Sequence, residues 1–400
     1  MALLAAALIC AILAVTNVAV AQANEAAELV RDGRTRWTLF VPESAGPVER
    51  FAGRELVRYV EKASGAKLAT ASTPDAPHTI QLGLRSAISV AAELPPAKVG
   101  FDGYAIRIQP DRILIAGDNP RGVLYGVYDL LERFGCRWYL PNLDPAEPEV
   151  VPNDTNISLP VGVWAEASPL EYRICNASSL LFEIIPERLL PQIDWAAKNR
   201  YNGLSWQAHH EPGRVQTEIE QMADCGALDA MTERGLILHG PGHCFPFFLP
   251  TARYFDKHPD WFGLADGKRQ PHGGQWPIMN FCWSNEAAVA EFIHNAEAFV
   301  RQWPQLQMLY MVGIDGGAVC QCPKCAARGG SDLIVDLFNR LSDRLAETAP
   351  AVIVETVIGY GPLQEPPRTA KPNGKWRGLY AHWGRHHRQA YGDADYAKKA

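Results

Sequence analysis

The stretch MLYMVGIDGG, Met308 to Gly317, decides the fold. Its apolar run from Met308 to Ile314 reads as a buried strand whose tip delivers Asp315, and Gly316-Gly317 leaves room for a bound group to come close. Outward from it the pattern repeats. Tyr172 to Asn176, Asn202 to Trp206, Leu236 to His239, Val352 to Ile358 and Gly378 to His382 are short apolar runs ending in polar or aromatic residues. Glu286 to Val300 and Asp332 to Ala346 carry helical periodicity. Repeated β-then-α units predict a parallel sheet, and the (β/α)8 TIM-type barrel is its commonest closed form. The runs supply about six strands of the eight a barrel needs, so the barrel over 156–400 is expected to be incomplete at its C-terminal end.

The preceding residues read as a separate α/β domain over 24–155. A strand at Trp37 to Pro42 is followed by a helical pattern at Val48, Phe51, Ala52, Leu56, Tyr59 and Val60. Thr79 to Leu84 is strand-like, Tyr104 to Ile108 and Ile113 to Ala116 flank a Pro110-Asp111 turn, and Gly122 to Phe134 is helical. Proline-rich Pro141 to Pro160 reads as the linker.

With 47% hydrophobic and 20% charged positions, the chain has the material for real cores, which excludes disorder, collagen and coiled coil. Lys plus Arg number 38 against 44 Asp plus Glu, a balance without the basic face nucleic acid needs. The 11 tryptophans then favour sugar rings as stacking partners over bases. Ala2 to Val15 is apolar and is followed by small-x-small cleavage sites at Ala19-Val20-Ala21 and Ala21-Gln22-Ala23, so residues 1–23 read as a signal peptide. The expected location is secreted or periplasmic, with no membrane span after cleavage.

The string Gly117-Asp118-Asn119-Pro120-Arg121-Gly122 through Glu132, with Gly135-Cys136-Arg137-Trp138-Tyr139, resembles the N-terminal accessory domain of bacterial β-hexosaminidases and α-glucuronidases. His258-Pro259-Asp260-Trp261-Phe262, Gly267-Lys268-Arg269, Cys282-Trp283-Ser284-Asn285 and Asp315-Gly316-Gly317 ahead of Cys320-x-Cys322-x-x-Cys325 resemble the barrel family catalogued as domain of unknown function 4838. The resemblance implies a glycoside-hydrolase-like barrel behind an accessory domain. Where hexosaminidases carry an Asp-Glu pair, this chain has Asp315 followed by Gly316, so their mechanism does not transfer directly.

Glycosidic cleavage needs two carboxyl groups, one protonated and one ionised. Asp315 is the expected catalytic residue, against the alternative of a turn aspartate beside the glycines. Glu211, Glu355 and Asp393 are candidates for the second. Around them, His209, His239 and His243 read as donors to sugar hydroxyls, and Trp206, Trp283, His382 and Trp383 as further substrate contacts with a stacking floor. Arg200 and Tyr360 join as orienting groups. Core packing is the competing reading for each tryptophan and a satisfied structural role for each histidine. A non-catalytic carbohydrate-binding barrel is the alternative to the hydrolase. No cofactor is required. Cys320, Cys322 and Cys325 suit a structural zinc with a fourth ligand such as Cys282 or a histidine, or a disulfide with a solitary cysteine.

Overall fold

The structure, a computed structural model, describes residues 26–88, 91–141, 149–176, 185–208, 212–272 and 279–381. The signal peptide expected over 1–23 lies outside them. The chain forms two compact units, the first Met1–Arg173 with Leu190–Asn202 and Asp229–Leu236, the second Ile174–Leu189 with Gly203–Leu228 and Ile237–Ala400.

The strands of the first unit are β1 (Ala26–Val30), β2 (Thr38–Phe40), β3 (Ala69–Thr70), β4 (Thr79–Leu84), β5 (Phe101–Ile108), β6 (Arg112–Gly117), β7 (Ile157–Pro160) and β8 (Gly162–Ser168). Six of them make one sheet in the order β3-β2-β4-β6-β5-β8, parallel from β3 to β6 and antiparallel across β5 and β8, while β1 pairs with β7. The turn at Pro110-Asp111 forms as expected, with Gln109 N donating to Arg112 O at 2.8 Å. Helices Pro47–Ser64 and Pro120–Arg133 pack against each other.

The second helix explains the motif at Gly117 to Glu132. Asn119 caps it by accepting from Gly122 N, and a Cβ at Gly122 would stand 2.1 Å from Gly103 O, so glycine lets helix and sheet touch. Asn119 Nδ2 and Arg121 Nε both donate to Asp102 Oδ1, at 2.8 and 2.9 Å. The motif is therefore a helix cap and a charge clamp.

The unit also takes in β7 and β8, beyond the boundary expected at residue 155. Prolines between Pro141 and Pro160 suggested a linker, but part of that segment is β7, whose partner β1 lies more than a hundred residues earlier.

The second unit holds β9 (Ile174–Asn176), β10 (Gly203–Ser205), β11 (Ile237–His243), β12 (Leu264–Ala265), β13 (Lys268–Arg269), β14 (Leu306–Val312), β15 (Ile353–Ile358) and β16 (Trp376–Tyr380). Six form a parallel sheet in the order β16-β15-β14-β11-β10-β9, curled as a half-barrel, and β12 pairs with β13. Among the described residues the sheet has six parallel strands, the number the sequence reading counted for an incomplete barrel. Helices Glu286–Gln302 and Gly330–Thr348 pack together, and Leu309, Met311 and Val354 are buried. Phe245, Phe248, Phe281, Phe292 and Phe338 form an aromatic core.

One strand runs longer than expected. Gly240-Pro241-Gly242 reads as a loop, yet β11 continues through it to His243. Proline has no N–H for a ladder. Here its carbonyl accepts from Ala208 N at 2.8 Å, and the residues on both sides stay in register with β14.

Candidate functional site

Beyond β14 the backbone turns at Ile314 to Gly317, closed by Gly317 N donating to Ile314 O at 2.8 Å. Gly316 has φ 66°, a left-handed value that glycine reaches without a steric penalty. This turn leaves Asp315 exposed at the carboxyl edge of the parallel sheet. Tyr360, two residues past β15, donates its phenol hydrogen to Asp315 Oδ1. That hydrogen bond, with partial burial, pushes the phenol up to about 12.

The loop is braced from below by a residue the sequence reading missed. Asn280 is buried, accepts from Ile314 N at 3.0 Å and donates to Gly317 O at 3.2 Å. A lone amide inside the run Ile278 to Trp283 was the available signal.

Deeper in the sheet lies a polar row. Ser205 pairs with His239, His239 with Met308, and Tyr310 with Glu355, so strand alternation puts Ser205, His239, Tyr310 and Glu355 on one face. His239 Nδ1 meets Ser205 Oγ at 2.9 Å and Nε2 meets Glu355 Oε2 at 2.7 Å. The imidazole stacks on Tyr310, with centroids 4.5 Å apart. Arg377 stands opposite Glu355 in register on β16. His243, at the tip of β11, meets Gly313 O through Nδ1 at 2.6 Å.

Two expected tryptophan contacts are core residues instead. Trp206 is 0% exposed and its Nε1 donates to Glu218 Oε2 at 2.5 Å. An indole that finds both an apolar shell and an acceptor is more stable inside than as an exposed floor. Trp283 is also buried and meets Phe245 and Phe281 edge-on. With Asn280, Gly313, Gly317 and Tyr360 it lines a cavity of about 30 Å³, room for a water and not for a sugar ring.

Arg200 belongs to the first unit, where its guanidinium is bidentate to Glu132 at 3.1 and 2.5 Å. Its expected role as an orienting group in the barrel gives way to this ion pair. His209, His382 and Trp383 lie outside the described residues, as do Glu211 and Asp393.

The three clustered cysteines are joined by a fourth. Cys282, Cys320, Cys322 and Cys325 are buried free thiols whose sulfurs all lie within 4.8 Å of one another. Four soft donors at this spacing are a set that a tetrahedral metal ion accepts.

Residues 145–376 match the family described as Domain of unknown function (DUF4838), and residues 23–130 match the Glycosyl hydrolase family 67 N-terminus. A search of the curated proteins finds no match. Among solved structures, the chain is similar to a family GH115 4-O-methyl-alpha-glucuronidase with specificity for decorated arabinogalactans, at TM-score 0.56 and 14% identity over 83% of this chain and 43% of that one. It is also similar to the GH20 beta-N-acetylhexosaminidase from Streptomyces coelicolor A3(2), at TM-score 0.54 and 14% identity over 88% of this chain and 66% of that one. At such identity the likeness is one of fold. The chain spans 43% and 66% of these two structures.

Proposed function

The chain belongs to the DUF4838 family, and from that premise we propose that it is an exported glycoside-hydrolase-like enzyme that cleaves glycosidic bonds of a polysaccharide or glycan by carboxylate acid/base chemistry. In this reading the six parallel strands are an arc of a (β/α)8 barrel, and their carboxyl ends make the catalytic face. The observation that carries it is Asp315, an exposed carboxylate at a strand tip, bonded by the Tyr360 phenol.

A hydrogen bond to the charged form favours that form, so Asp315 takes the role of the ionised partner, as nucleophile, base or cation stabiliser. Glu355 is the second carboxyl on the same sheet. His239 is its positioning residue, holding Glu355 through Nε2 while Ser205 fixes the other ring nitrogen. No cofactor is needed for this chemistry. Export rests on the leader pattern of residues 1–23.

The test is a panel of glycans and aryl glycosides offered to the full-length protein and to Asp315→Asn and Glu355→Gln. Each substitution is expected to lower kcat by about 10²–10⁴-fold while circular dichroism is unchanged. Undiminished cleavage by Asp315→Asn removes that residue from the chemistry, and binding without cleavage by the wild type makes the chain a carbohydrate-binding protein.

A further inference from the structure

We propose that Cys282, Cys320, Cys322 and Cys325 bind one Zn²⁺ in a closed tetrathiolate site that staples the Asp315 loop to the segment carrying Asn280. Cys282 Sγ lies 3.7 Å from Cys322 Sγ and 3.7 Å from Cys325 Sγ. Sulfurs set about 2.3 Å from one ion at tetrahedral corners are about 3.8 Å apart, so the cluster has the dimensions of a zinc tetrathiolate. Cys282 is equidistant from two partners, and no pair stands out as a disulfide. All four ligand positions are taken by protein and buried, which leaves no open corner for water and makes the site structural.

The surroundings fit a charged sulfur cluster. Leu264 N and Cys322 N approach Cys320 Sγ at 3.3 and 3.5 Å, and Arg269 Nη1 at 3.6 Å. Four thiolates around a dication carry a net double negative charge, which N–H donors and a guanidinium offset. The family motifs converge here as well. Cys282 N donates to Trp261 O at 2.7 Å, Gln321 N to Leu264 O at 2.8 Å, and Arg269 Nη1 to Phe262 O at 2.7 Å. Asn285 caps helix Glu286–Gln302 and donates to Asp260 Oδ2 at 2.8 Å. His-Pro-Asp-Trp-Phe, Gly-Lys-Arg, Cys-Trp-Ser-Asn and the cysteine triplet are thus parts of one shell.

Its place in the chain gives the staple its consequence. Cys282 follows Asn280 by two residues and Cys320 follows Asp315 by five. Met279 and Ala318 form a β-bridge between these segments, and Asn280 holds both ends of the turn. An ion joining 282 to 320–325 fixes the same two segments a few residues further on. The site stands whether or not the chain cleaves sugars, since its test reads metal and not turnover.

The full chain, purified without metal-affinity resin, is expected to carry one zinc by mass spectrometry and to lose it in Cys282→Ser and Cys325→Ser but not in Cys225→Ser. Cobalt exchanged into the wild type is expected to show thiolate-to-metal charge transfer and the strong visible bands of a tetrahedral site. Metal removal is expected to lower Tm. Metal content far below one per chain, iron in place of zinc, or peptides linked by disulfides among these four cysteines would overturn the assignment. The wild-type stoichiometry and cobalt spectrum decide the matter even if the serine variants do not fold.

Discussion

Two carboxylates of the first unit and two of the second are treated in opposite ways. In the first, Glu149 is surrounded by donors, with Lys62 Nζ at 2.6 Å, Trp138 Nε1 at 2.7 Å, Lys198 Nζ at 3.2 Å and the Tyr59 phenol. Burial opposes its charge, yet Lys198 and these donors bring it down to about 2. Asp102 is held similarly by Asn119, Arg121, Arg173 and Asn202, and its carboxyl lies below the ordinary range although burial works against that. In the second unit Asp315 reaches solvent at a strand tip, and Glu355 is bonded to His239. A carboxylate saturated with charged donors is spent on architecture, whereas one exposed to solvent keeps a face that a substrate can reach.

That contrast is tested first at its extremes. Asp315→Asn is expected to remove about 10²–10⁴-fold of activity, roughly 3–5 kcal/mol of barrier, while chemical denaturation moves by no more than about 0.5 kcal/mol. Glu149→Gln should do the reverse. It leaves Lys198 without one of its anions, costs about 3 kcal/mol in urea unfolding and does not alter kcat of the folded protein. A rate loss there would break the contrast.

The same residue sets an acid-side window. A carboxyl whose pKa drops on folding contributes stability above its unfolded value, about 4.3, and loses it as pH falls toward about 2. Melting curves of Glu149→Gln are expected to be flatter than wild type between these limits.

Trp206→Phe is expected to cost about 1–2 kcal/mol by depriving Glu218 of the indole N–H, with sugar affinity unchanged. Weakened sugar binding in a protein of wild-type stability would return Trp206 to the stacking floor. A small stability effect, within about 1 kcal/mol, belongs to Tyr360→Phe. Its readout is the pH profile of activity, which should change when the donor to Asp315 is removed. On the alkaline side, a phenol raised by folding contributes stability below about 10 and loses it as pH climbs through about 12, a loss the phenylalanine variant should lack.

Much of the second unit was legible because its central strands β11 and β14 are buried on both faces. Six apolar runs announced six strands, and the helices at Glu286–Gln302 and Gly330–Thr348 lie where periodicity put them. The tip position of Asp315 followed from the same run, and the C-x-C-x-x-C spacing flagged the cysteines. Pairings across long sequence separation were not legible. His239 and Glu355 are 116 residues apart and lie on strands separated by β14, so only sheet order brings them together. Arg200 read as an orienting group of the barrel, and its partner Glu132 lies 68 residues earlier.

Local order came from the sequence, since burial period, helix caps and turn glycines depend on near neighbours and act in any chain with that pattern. Which polar groups were left facing solvent was settled by tertiary structure alone. Glu149 and Asp315 are both acidic residues in loops, and their surroundings differ through the cations, indoles and phenols that distant segments placed around them.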